Sequence, residues 1–391
     1  MKKHLDLANY FLIIVQVVLL FTTHFMFIAE SRIGAKVGLT PAEVFGSLYK
    51  WYVMLVVLQA GLVLLKRDNQ WLNYLTALWS SLLIGIVVTA AGRYAAAVAA
   101  SGDTSRVSLS IGAYASMIVS YLIIVKCNEQ YTGSLKKMSV VLVSVFMIAA
   151  GFLLGKLDHL SIVIEYLNRK EQFFVELKNH VQISFSVVFW GTLIGVPLGW
   201  VAYNKKRLGE IIINLLNIVE SLPALALISL LMFPLAFLNN HVPLANRLGI
   251  TGIGLPPVFI ALLCYSLYQI VNSTVGALEV VDRRLIEVAK GMGMTPRQIF
   301  FKIELPLIFP VVISGIKVSL VSTILGVTIG AYAGFGGLGM FILQGVTGFA
   351  VDIVLLVTIP IMVMIFLSDA CLEGLVKIVD KVRKSRGMVK L

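Results

Sequence analysis

Three groups of residues in this 391-residue chain have types and spacings that could do chemistry. Glu220 lies in a long apolar run and is followed at once by Ser221 and Pro223. It falls about nine residues into an expected span, near mid-depth, where a carboxylate is costly. Pro223 also frees a backbone carbonyl one turn earlier, so this segment should line a cavity or be buried against protein. Two roles stay open for Glu220: a place on a translocation path, or a buried ion pair with Lys317 on a later span. Tyr265, Tyr268 and Trp190 could hold a quaternary ammonium by cation–π attraction, or act as packing and interfacial anchors. The run Gly334, Gly336, Gly337, Gly339 satisfies G-x-G-x-x-G, but the dinucleotide fingerprint needs a strand before it and none is expected. These glycines read as close backbone packing or an outer gate.

Other chemistries are missing from the pattern. No G-x-x-x-x-G-K-[ST] occurs, so ATP chemistry is expected on another polypeptide. No Ser-His-Asp or metal-ligating constellation falls in a coherent non-membrane region, so no catalytic residue and no metal ligand is assigned. The chain alone is read as a non-enzyme.

The hydrophilic stretch Glu287–Pro306 stands out in an otherwise apolar sequence. Asp282 is placed to N-cap a short helix whose Leu285, Val288, Ala289 and Met292 recur at helical spacing, opposite Arg283, Arg284, Glu287 and Lys290. Gly293 can take the left-handed conformation that closes it. Thr295 as N-cap, Pro296 at the first helical position and Gln298 three residues after the cap then start a second helix. The spacing predicts helix, sharp turn, helix.

Composition sets this elbow in a membrane protein. The chain is 59% hydrophobic and 13% charged, too little polar surface to cover a soluble globule of this size. Spans are predicted near 10–29, 49–65, 71–92, 107–125, 138–155, 179–203, 211–238, 255–275, 310–333 and 351–371, against the roughly 20 apolar residues that cross a bilayer. With about ten transmembrane helices the chain reads as an all-α membrane protein with both termini on one side. The net charge of +12 follows topology and does not imply nucleic acid. Lys2, Lys3, Lys66, Arg67, Lys126, Lys136, Lys137, Lys205, Lys206, Arg207, the elbow and the basic tail share one side, whereas the opposite segments are nearly balanced. By the positive-inside rule the elbow and both termini are cytoplasmic. The first apolar run is too long for a signal-peptide core, and the three cysteines form no disulfide or metal framework. Domains are drawn at 1–155 (five spans), 156–178 (extracytoplasmic linker), 179–376 (with the cytoplasmic loop 276–306) and 377–391 (basic tail). Gly191, Gly195 and Gly199 form a small-residue ridge whose partner is left open between this chain and another copy.

The elbow resembles the coupling loop of ABC-importer permeases, in which Glu-Ala-Ala, three residues, Gly, nine residues and Ile-x-Leu-Pro recur. Glu287, Ala289, Gly293, Ile303, Leu305 and Pro306 fall in register, and Val288 departs from the pattern's Ala. From about His180 onward the chain is similar to permeases of the glycine betaine and choline osmoprotectant family. Ile-Gly-Val-Pro-Leu-Gly at 194–199, Ser-Leu-Pro-Ala-Leu-Ala-Leu at 221–227 and Gly-Phe-Gly-Gly-Leu-Gly at 334–339 carry that likeness, and the extra N-terminal spans resemble its longer subtype. The resemblance implies a C-terminal MetI-like (type I ABC importer) permease core in a bacterial inner membrane. It further implies partner ATPase subunits carrying ATP and Mg, an extracytoplasmic solute-binding protein, and a second permease, identical or not. The elbow, with Thr295 and Pro296, would dock on the ATPase. The implied substrate is glycine betaine or choline. The alternatives are another small solute, such as an amino acid or an ergothioneine-like betaine, or a secondary transporter driven by an ion gradient.

Overall fold

The structure, a computed structural model, describes residues 2–30, 34–65, 69–132 and 134–385. Lys66, Arg67 and the basic tail from Arg386 onward lie outside the described residues, as do the side chains of Lys2 and Lys3. The chain divides into two compact units, 1–168 with 348–352, and 169–347 with 353–391.

The first unit runs α1 (Lys2–Thr22), β1 (Met26–Ala29), β2 (Val37–Leu39), α2 (Pro41–Phe45), α3 (Tyr49–Leu64), α4 (Gln70–Ala100), β3 (Arg106–Leu109), α5 (Ile111–Asn128), α6 (Ser134–Leu153) and α7 (Ser161–Asn168). Its helix starts are locally encoded. Thr40 and Glu43 form a reciprocal capping box with Pro41 at the first helical position, and the Asn69 side chain accepts from the Trp71 N–H at 2.9 Å. Helices long on apolar residues still carry buried polar side chains, and these pair across helices. Gln16 Nε2 donates to Ser116 Oγ at 2.9 Å, Gln59 Nε2 to Ser80 Oγ at 2.9 Å, and Trp79 Nε1 to the Leu55 carbonyl at 2.9 Å. At the end where α1 finishes and α5 begins, the three strands form an antiparallel sheet in the order β2-β1-β3. The span expected over 10–29 is therefore corrected: its helix stops at Thr22 and Met26–Ala29 is strand. Residues 106–109, expected to lie largely in the 107–125 span, are strand as well. The four apolar residues of β1 score alike as strand or helix, and β3, Arg-Val-Ser-Leu, is too short for its pattern to be told from the helix that follows.

The second unit runs α8 (Lys170–Asn204), α9 (Lys206–Ser221), α10 (Ala224–His241), α11 (Pro243–Arg247), α12 (Leu255–Glu279), α13 (Arg283–Gly291), α14 (Pro296–Ile299), α15 (Leu305–Ile329), α16 (Leu338–Thr347) and α17 (Val351–Ser385), the last starting in residues assigned to the first unit. Its centre is α12 against α8 and α15. The glycine ridge of α8 has its partner in this chain: a Cβ on Gly191 would lie 2.1 Å from Ser266 Oγ, one on Gly195 3.0 Å from Ile270, and one on Gly199 2.7 Å from Thr274. Both ridges advance by four residues, so backbones meet along matched rows. Ser319 Oγ on α15 donates to Ser266 Oγ at 2.8 Å, binding the third helix to the same seam.

Among the described residues nine helices are long and apolar enough to cross a membrane, with Tyr10–Thr22 and Leu338–Thr347 as shorter apolar helices. The sequence suggested about ten; α1 itself runs Lys2–Thr22, with its described apolar part from Tyr10.

Candidate functional site

The elbow is built almost wholly from bonds between near neighbours in sequence. Asp282 Oδ1 accepts from the Arg284 N–H at 2.9 Å and starts α13. At its end Gly293 takes φ +78°, its N–H donates to the Lys290 carbonyl at 2.9 Å, and the Met294 N–H donates to the Ala289 carbonyl at 3.1 Å. This pair of crossed bonds is the Schellman closure, which satisfies carbonyls that a helix end would leave open. One residue later Thr295 and Gln298 form a capping box: the Thr295 N–H donates to Gln298 Oε1 at 2.8 Å and the Gln298 N–H to Thr295 Oγ1 at 3.3 Å. Pro296 occupies the first helical position.

The elbow then joins α15 through a π-helical segment, Phe300–Glu304. Pro306 has no N–H to offer the Lys302 carbonyl, which favours a local departure from α pairing. The junction is anchored from α8. Trp200 Nε1 donates to Glu304 Oε2 at 3.1 Å and the Trp200 ring lies 5.3 Å from that of Phe300. Ile303, Leu305 and Pro306 are half-buried at this junction, Ala289 is buried, and Glu287 is exposed. Val288 and Met292, at 63% and 71% exposure, form with Leu285 an apolar stripe turned outward beside Arg284 and Lys290. A contiguous exposed apolar stripe rimmed by charge marks an interaction surface.

Residues 191–383 match the family model described as binding-protein-dependent transport system inner membrane component. Residues 7–163 match that of the ABC transporter permease YehY, N-terminal domain. The carnitine transport permease protein OpuCD of Listeria monocytogenes is 32% identical over 232 residues, 59% of this chain and 97% of that protein. This chain belongs to the binding-protein-dependent permease family. The permease is also similar to the choline transport system permease protein OpuBB of Bacillus subtilis, 33% identical over 49% of this chain and 80% of that protein. It resembles the osmoprotectant import permease protein OsmW of Salmonella typhimurium as well, 34% identical over 43% of this chain and 74% of that protein. A solved chain of the MetNI methionine ABC transporter, inward-facing, aligns over 53% of the permease and 95% of its own length with 22% identity and TM-score 0.48.

In the permease the expected 211–238 span is two helices, α9 and α10, broken at Leu222 and Pro223. Glu220 and Ser221 are therefore not inside a continuous helix: they form the exposed end of α9. Tyr265, on α12, donates its hydroxyl to the Leu222 carbonyl at 2.5 Å, satisfying a backbone group at the break. Tyr268 sits half-buried one turn further along α12, and Trp190 is exposed on α8. The suggested Glu220–Lys317 pair is corrected, because Lys317 forms its ion pair with Asp369 of α17. These two side chains meet across helices far apart in sequence, and spacing carries no sign of it.

The glycine run after α15 makes a turn with φ +77° at Gly334, +87° at Gly336 and +68° at Gly337. Its anion is a side chain of the same protein: the Gly337 N–H donates to Glu176 Oε2 at 2.6 Å, and a Cβ on Gly336 would stand 3.0 Å from that oxygen. Successive positive-φ residues turn backbone N–H groups inward and suit an anion, so the fingerprint keeps its physics without a nucleotide. Gly339 packs where a Cβ would lie 2.1 Å from the Thr328 carbonyl. Sequence reasoning missed Glu176, Trp200, Glu304 and Asp369. Of these, Glu304 alone carried a signal, as an acidic residue inside the Ile-x-Leu-Pro motif.

Proposed function

We propose that the permease forms the translocation pathway of an ATP-driven importer for a small osmoprotectant such as glycine betaine, choline or carnitine. The observation that carries the reading is the elbow, a rigidly capped helix–turn–helix whose apolar stripe has no cover within its own unit. On this reading Glu287, Ala289, Gly293, Thr295, Pro296, Ile303, Leu305 and Pro306 form or position a coupling surface for ATPase subunits, which carry ATP and Mg. An extracytoplasmic binding protein delivers solute, and a second permease subunit completes the pathway. Glu220, Ser221, Pro223, Tyr265 and Tyr268, gathered at the helix break, border the path. The turn at Gly334, Gly336, Gly337 and Gly339, clasped on Glu176, serves as outer gate or packing element. The membrane is the bacterial inner membrane with both termini cytoplasmic. The substrate class is supported by the names of the relatives, which transport carnitine, choline or osmoprotectants.

Reconstitution tests this directly. Vesicles holding the permease, its ATPase and its binding protein should take up glycine betaine or choline on addition of ATP, and an ionophore that collapses ion gradients should not stop them. Uptake by the isolated chain on a sodium or proton gradient would overturn the importer reading. Uptake of a different solute by the complete importer would remove only the substrate class.

A further inference from the structure

The first unit contains a cavity of about 320 Å³, at the lower end of the roughly 300–1,000 Å³ of small-molecule sites. All its lining residues belong to that unit. The small sheet forms one wall. In β1, Phe27 and Ala29 line the cavity whereas Met26 is fully buried in the core. In β3, Arg106 and Ser108 line it whereas Val107 is buried in the same core. The register pairs Phe27 with Ser108 and Ala29 with Arg106, so the alternation of the strands gives one face to the core and the other to the cavity.

The lining chemistry is of two kinds. Phe27, Tyr114 and Phe349 supply three aromatic residues. Phe349 has φ +51°, the one positive value found outside glycine among the described residues, and its side chain is 76% exposed. Backbone strain at an exposed aromatic gives no packing benefit, and strain of this kind gathers at ligand sites. The charges are balanced: Lys36 and Arg106 against Glu165 and Asp352. Arg106 Nη1 and Glu165 Oε1 are 2.5 Å apart, with the Glu165 side chain almost fully buried. Asp352 and Ser161 share the lining with Lys36. Aromatic residues beside a carboxylate are the recognition chemistry of a substituted ammonium, and cations at the same cavity suit an oxyanion.

We propose that this cavity binds a small ammonium–oxyanion zwitterion, its cationic end among Phe27, Tyr114 and Phe349 beside Asp352, its anionic end toward Lys36 and Arg106. The identity of the ligand as the transported osmolyte rests on the proposed function, whereas the site itself does not. Val351 and Asp352 of the lining are the first two residues of α17. The site is separate from the solute-binding protein.

The same chemistry is offered by a free betaine and by a phosphatidylethanolamine headgroup, and the test separates them. The full-length chain, without ATPase or binding protein, is placed in phosphatidylglycerol nanodiscs and titrated with radiolabelled glycine betaine. Saturable binding is expected, weakened about tenfold in Asp352→Asn and in Lys36→Met. Phe349→Ala, which removes the ring at an exposed position, keeps the test sound if a charge variant fails to fold. Absence of saturable binding by wild type, or unchanged affinity in all three variants, overturns the proposal. Loss of betaine binding when phosphatidylethanolamine is added would assign the cavity to the lipid headgroup and overturn the free-solute assignment. If the complete importer moves betaine while the chain alone binds none, the site fails and the transport reading stands. If the chain binds betaine but the complete importer moves none, the transport reading fails and the site stands.

Discussion

Gly293 shapes the elbow through its backbone alone. Nothing lies within 4 Å of where its Cβ would be, so a substitution meets no clash and suffers only from φ +78°. Gly293→Val should therefore cost about 1–3 kcal/mol of local strain, and Gly293→Asn, which tolerates that region, much less. The measurement is ATP-dependent uptake and ATPase co-purification: Val should abolish both in a normally inserted permease, and Asn should retain most of each. Equal behaviour of the two variants would remove the turn from the mechanism. Glu220 calls for a different expectation now that it sits exposed at the end of α9. Glu220→Gln should leave assembly intact and change the rate of uptake, and loss of the assembled complex on a gel-filtration column would argue for a structural role.

At the scale of elements, two features decide how force could pass from elbow to spans. One is the Trp200–Glu304 contact, which anchors the junction of elbow and α15 on α8. Trp200→Phe keeps the ring but strands a buried carboxylate, and should lower stability by about 1–3 kcal/mol, read as a fall in thermal midpoint in detergent. The other is the seam of α8 on α12. Gly195→Leu would drive a side chain into Ile270 and should destabilise by roughly 1–3 kcal/mol, with the same readout. The elbow's caps were legible in the sequence because Asp282, Gly293, Thr295 and Gln298 act on partners within a few residues. The seam's existence was legible too, from the four-residue glycine spacing, but not its partner, since Ser266, Ile270 and Thr274 lie more than seventy positions away. Hydropathy also joined α9 and α10 into one span, because a two-residue break at Leu222 and Pro223 leaves the apolar average unchanged.

Across the whole molecule, the all-α membrane class and most span positions followed from apolar run length. The three-stranded sheet did not, because β1 is the apolar end of the segment that begins as α1 and β3 is a four-residue lead-in to α5, both too short for periodicity to mark as strand. The cavity it helps to form was invisible for the same reason, as its aromatic and charged residues come from positions between 27 and 352. The elbow holds one more consequence. Asp282 to Gln298 fix their own turn with bonds made among themselves, so the shape survives whatever the surrounding spans become in evolution. On the proposed coupling role, the spans around it can differ while the docking shape is kept, so one motor's cleft would fit permeases of differing cargo.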